Sequence, residues 1–103
     1  ATRASTLVQY DFPYAGPWGA EKTAAMGDLA QDIAAEPGLV WKIWTENQDT
    51  GRAGGIYVFD SPAAAAAYTE KHSARLAAFG ITGINALSFD VNDDLSAITR
   101  APL

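Results

Sequence analysis

The sequence predicts a single α+β domain with its elements in the order βαββαβ, and three observations carry that prediction. Four segments alternate their side chains with the period of two expected of strands. Two others place residues at three- and four-residue steps, as helices do, and Pro, Gly or an Asn/Asp cluster stands at each change of period. With 103 residues, 49 % of them hydrophobic, the chain is long and apolar enough to close one core over its whole length, 1–103, without metals or disulfides.

The first strand spans Leu7–Phe12, where Val8, Tyr10 and Phe12 point one way and Leu7, Gln9 and Asp11 the other. Pro13 and the Gly16-Pro17 pair stop it. Trp18–Ala35 follows as a helix, because Lys22, Met26, Leu29 and Ile33 fall on one stripe, and Pro37-Gly38 ends it. Leu39–Glu46 is rich in β-branched and aromatic residues, with Trp41, Ile43 and Thr45 facing opposite to Val40, Lys42, Trp44 and Glu46. A polar turn over Asn47–Gly51 joins it to a third strand, Gly54–Phe59, in a hairpin. Gly54-Gly55 lacks the Gly spacing and Lys of a phosphate loop and signals a bulge or a close approach of backbones. Asp60-Ser61-Pro62 offers an N-cap with Pro at the first helical position, and the five alanines after it favour a second helix running to about Phe79. Gly80 closes that helix, and Asn85–Val91 alternates as a fourth strand.

A four-stranded antiparallel sheet with both helices on one face satisfies the right-handed crossover rule for this order, which is the ferredoxin-like arrangement. Both faces of the predicted sheet carry β-branched and aromatic residues, so a second copy is expected over the face the helices leave bare, giving a homodimer. Asn92–Leu103, with Leu95, Ile98 and Leu103, is expected as a tail that reaches the partner.

A formal charge of −5 and a pI near 4.5 argue against nucleic acid and anionic lipid as partners. The absence of Cys excludes thiol catalysis and thiolate metal sites and fits a reducing compartment. No run approaches the roughly 18 apolar residues a membrane helix needs, and the N-terminus shows no charged segment followed by an apolar one. The expected address is cytoplasmic. No metal is expected, since Asp90, Asp93 and Asp94 lack the spacing of a calcium loop. Hydrolase chemistry is not expected either, since Ser73 adjoins His72 and successive helical residues point apart.

The blocks Glu36–Glu46 (EPGLVWKIWTE), Ala53–Phe59 (AGGIYVF), Tyr68–Leu76 (YTEKHSARL) and Phe89–Asn92 (FDVN) together resemble the YdhR-type monooxygenase family over nearly the whole chain. The resemblance implies a dimeric α+β barrel, in which two ferredoxin-like subunits join their sheets and each keeps a pocket between sheet and helices. It also implies a monooxygenase that works without a cofactor on a small hydrophobic aromatic or polyketide-like molecule. The alternative on the same scaffold is a non-oxidative cyclase or lyase, or a small-molecule binding protein.

Within that expectation His72, the single His, shares a helical face with Tyr68, Leu76 and Phe79 and is the candidate base, against the alternative of a half-buried structural His. Arg75 flanks it as a stabiliser of an oxygen anion, or else forms an interface salt bridge. Trp41 is assigned to the pocket and Trp44 to the dimer barrel, since only one of them can face each way. Tyr10, Tyr57 and Tyr68 would orient the substrate ring, and Trp18, in the Gly/Pro-rich loop with Tyr14, would contribute to a lid.

Overall fold

The computed structural model describes residues 5–103. The expectation about the N-terminus falls partly on residues 1–4, outside that range. The elements are β1 (Thr6–Pro13), α1 (Gly19–Ala34), β2 (Leu39–Asn47), β3 (Arg52–Phe59), α2 (Pro62–Ala78), β4 (Asn85–Asp90) and α3 (Asp93–Ile98). The four strands form one antiparallel sheet in the order β2-β3-β1-β4, the ferredoxin-like arrangement.

Local chemistry accounts for the helix starts. Ser61 Oγ accepts from Ala64 N at 3.1 Å with Pro62 behind it, as the sequence predicts for α2. At α1 the N-cap, Trp18, has no capping side chain of its own. Glu46 of β2 supplies the acceptor instead, taking the N–H of Gly19 at 2.7 Å. The expected C-terminal tail contains a further short helix, α3. Asn92 Oδ1 caps Leu95 N at 3.0 Å, and Asp93 and Asp94 lie in the first turn, where the helix dipole favours negative charge.

The side chains of Val8, Tyr10, Phe12, Ala53, Tyr57 and Phe59 on one face of the sheet meet Ile33 of α1 and Ala65, Tyr68 and Leu76 of α2 in one buried core. The paired glycines of β3 bring backbones together rather than forming a bulge. A Cβ on Gly54 would lie 1.9 Å from the carbonyl oxygen of Tyr10, and one on Gly55 would lie 2.7 Å from Cε of Lys42. The register irregularity falls instead in β2, between Leu39 and Trp41.

The opposite sheet face keeps Ile43, Leu87 and Phe89 about half exposed. Trp41 lies on that face, where its Nε1 donates to the carbonyl of Pro102 at 2.6 Å and ties down the chain after α3. No helix among the described residues is long and apolar enough to cross a membrane.

Candidate functional site

β2 and β3 pair Lys42 with Tyr57 and Trp44 with Gly55, so Lys42, Trp44 and Tyr57 all point toward the helices. Gly55 leaves room for the Lys42 stem to lie across β3. The helical repeat of α2 stacks Tyr68 and His72 with ring centroids 5.0 Å apart, and α1 turns Lys22 inward until it is 7 % exposed.

Between these elements lies a cavity in two adjacent parts that share some of their lining. The inner part, about 60 Å³, is lined by Phe12, Tyr14, Lys42, Tyr57, His72 and Leu76 among others. It shares Lys22, Met26 and Trp44 with an outer recess of about 290 Å³ that Glu46 also borders. An apolar cavity of about 150 Å³ holds a benzene ring. The outer recess therefore has room for a small aromatic system, and the inner part for a substituent reaching Tyr57.

A chain of hydrogen bonds runs behind the inner part. Arg75 Nε and Nη2 lie 3.2 and 2.9 Å from His72 Nδ1, and a guanidinium can only donate, so Nδ1 accepts and the ring proton sits on Nε2. That proton points to Tyr57 Oη at 3.4 Å, and Tyr68 Oη donates to the same oxygen at 3.3 Å. With both donors directed at it, Tyr57 Oη has its own proton left to give, and Tyr57 lines the cavity. Arg75 is held from the other side by Asp32 Oδ2, 2.7 Å from Nη1.

Electrostatics follow from burial and from three nearby cations. Burial first, then Arg75 and Lys42, lower the His72 pKa to about 3, so the ring is neutral. Burial pushes the Tyr57 hydroxyl well up, Tyr68 adding to it, and burial raises Tyr68 to about 12. Lys42 is drawn down to about 7, chiefly by burial and then by Lys22 and Arg75. Lys22 is also lowered by burial, with Glu46 opposing the shift. Lys42 Nζ sits 3.3 Å from the Trp44 ring centroid and 4.6 Å from that of Tyr57. Lys22 Nζ sits 4.7 Å from the centroid of Tyr14, whose buried hydroxyl has no hydrogen-bond partner among the described residues.

Of the residues singled out in the sequence, His72, Arg75, Tyr57, Tyr68 and Tyr10 come together in one cluster, and His72 and Tyr57 line the cavity. Tyr10 stands behind them. Its hydroxyl donates to Thr69 O at 3.0 Å and lies 2.8 Å from Ser73 Oγ. Trp18 packs edge-on against Tyr14 at 5.1 Å and borders neither part of the cavity. The assignment of Trp41 to the pocket is corrected, because the register of β2 with β3 turns it to the open face and brings Trp44 to the cavity. Lys22 and Lys42 were not singled out as site residues. Their signal was present, since Lys22 falls on the apolar stripe of α1 and Lys42 alternates in phase with Trp44. Among the described residues, no three His, Cys, Asp or Glu side chains are grouped to hold a metal ion.

The profile of a family described as "Putative mono-oxygenase ydhR" matches residues 7–102. No curated protein matches. Among solved structures, the chain is similar to NE2512, a protein of unknown function from Nitrosomonas europaea. The two are 19 % identical over 88 % of this chain and 93 % of that one, with a TM-score of 0.57, a likeness of fold.

Proposed function

From the premise that this chain belongs to the ydhR family, we propose that it is a monooxygenase that needs no bound cofactor and acts on a small hydroxylated aromatic or polyketide-like compound held between the sheet and α1 and α2. The observation that carries this reading is the Tyr57 hydroxyl. Tyr57 lines the cavity, and His72 Nε2–H and Tyr68 Oη–H both point at its hydroxyl oxygen, an arrangement that would leave the hydroxyl's own proton to be donated to a ligand.

The substrate would lose a proton to become an electron-rich anion, and Tyr57 Oη–H would donate to its oxygen as charge develops there. The anion would pass electrons to O2. One oxygen atom would end on carbon in place of two hydrogens, and those hydrogens would leave with the other oxygen as water. The aromatic and aliphatic lining would keep bulk water from the anion. In this scheme His72 and Arg75 are positioning residues. Arg75 occupies the only lone pair His72 could use as a base, and thereby fixes the Nε2 proton toward Tyr57. Tyr68 would act through Tyr57 in the same way. The homodimer belongs to the proposal, with a second copy covering the half-exposed Ile43, Leu87 and Phe89.

The test is oxygen uptake by protein free of metal and flavin, measured against hydroquinones, naphthols and anthrones and corrected for spontaneous autoxidation. Protein-dependent uptake is expected, falling about 100-fold in Tyr57→Phe, the usual cost of one lost donor to a developing oxyanion. Binding without uptake for every compound would sink the oxygenase reading and favour a cyclase, a lyase or a binding protein.

A further inference from the structure

The cavity holds an amine without a counter-charge. Lys22 has Glu46 near it at the outer recess, and Arg75 has Asp32, but among the described residues no carboxylate pairs with Lys42. A half-buried ammonium with only ring faces for company is costly, because desolvation is repaid only by an opposite charge or by loss of the proton. We propose that Lys42 is the proton acceptor of the cavity, taking the proton of an acidic phenol or enol and then, as the ammonium, holding the resulting oxyanion.

The step balances as a transfer between two heteroatoms. The O–H bond of the ligand breaks, an N–H bond forms on Nζ, and the charge pair that results stays inside the cavity. Every titratable or charged neighbour pushes in the direction this requires or leaves the amine alone. Lys22 from α1 and Arg75 from α2 oppose a third positive charge, His72 is neutral with its lone pair occupied, and Tyr57 from β3 keeps its proton. Tyr14, beyond the end of β1, also keeps its proton, and Glu46, further along β2, acts on Lys22 and Tyr14 instead. A free Lys42 is thus part amine near neutral pH, and an arriving oxyanion would supply the missing partner. Gly55 fixes where the amine can reach, since any larger residue would meet its Cε.

This inference rests on the proposed use of the same cavity, and its test is kept separate from turnover. At about pH 8, free naphthol is the neutral phenol and Lys42 is mostly amine. Naphthol bound to the intact chain under argon is expected to show naphtholate absorbance. In Lys42→Met, an apolar residue of similar length, the ionised fraction of bound naphthol is expected to fall at least about tenfold, one pKa unit or more. Lys42→Gln guards against a packing effect peculiar to Met and should behave alike. Equal naphtholate in these variants, neutral naphthol bound to the intact chain, or no binding at all would each overturn the assignment. Naphtholate formation with no oxygen uptake for any substrate would leave Lys42 as the acceptor and remove only the oxygenase reading; uptake with no naphtholate would do the reverse.

Discussion

The two faces of the sheet are each incomplete, in opposite ways. The face under the helices is closed by aromatic rings but has drawn in Lys22 and Lys42, and Lys42 finds no carboxylate there. The other face has no such charge to satisfy, yet leaves Ile43, Leu87 and Phe89 about half exposed. One face lacks an anion and the other lacks a cover. Burial of a charge and exposure of apolar surface are both costly, which is why a small acidic ligand is proposed for one side and a second copy for the other.

The adjacent glycines of β3 divide between these faces and give the largest expected effect. In Gly54→Ala the new methyl would meet the main-chain oxygen of Tyr10 at 1.9 Å, which cannot yield without breaking the β1–β3 pairing. A loss of about 4 kcal/mol or more is expected from urea denaturation. Gly55→Ala should cost about half of that, because it mainly displaces the flexible end of Lys42. Equal tolerance of both changes would contradict the strand packing described above.

On the open face, Phe89→Asp is expected to weaken self-association by about 2 kcal/mol, roughly 30-fold, as read by sedimentation equilibrium. A wild-type chain that stays monomeric at high concentration would remove the second copy from the comparison.

The covered face is sharpened by pH. Lys42 has a folded pKa of about 7 against an ordinary 10.5, so between these values the unfolded chain binds more protons than the native one. Its contribution is fully present above pH 10.5, is lost as pH falls toward 7, and changes no further below that. Stability of the wild type relative to Lys42→Met should therefore rise across this window by roughly 1–2 kcal/mol, a value discounted because the side chain is only half-buried. A flat difference between the two chains would mean that the amine is hydrated in the free protein. The smallest effect belongs to neither face: Ser61→Ala removes the α2 cap and should cost about 1 kcal/mol by thermal unfolding, with oxygen uptake unchanged at temperatures where the chain is folded.

Much of the site was legible because it lies along single elements. The steps from Tyr68 to His72 to Leu76 put those residues on one helical face, and Arg75 three positions after His72 was already its neighbour. What the spacing of α2 could not show is that the guanidinium would occupy His72 Nδ1, turning an expected base into a donor aimed at Tyr57. That depends on where β3 passes beneath the helix. Tyr10 and Trp18 were legible as aromatic residues close to the pocket, but each stands behind its lining: the Tyr10 hydroxyl bonds Thr69 and Ser73 of α2, and Trp18 packs on Tyr14 without bordering the cavity itself.

The sequence by itself determined the order of elements through β4, the Ser61 cap and, beyond the irregularity at the start of β2, the alternation in each strand and the membership of each face as a set, since these follow from periods of 2 and 3.6 and from local hydrogen bonding. Only the tertiary structure decided which set of β2 turned inward. Alternation says that Trp41 and Trp44 differ, and the register with β3 says which one meets the helices. The same choice carried Lys42 inside, although a charged residue in a strand reads by itself as solvent-facing. Burial belongs to the packing of β2 against α1 and α2, where residues distant in sequence set the dielectric around the amine and place Lys22 and Arg75 beside it.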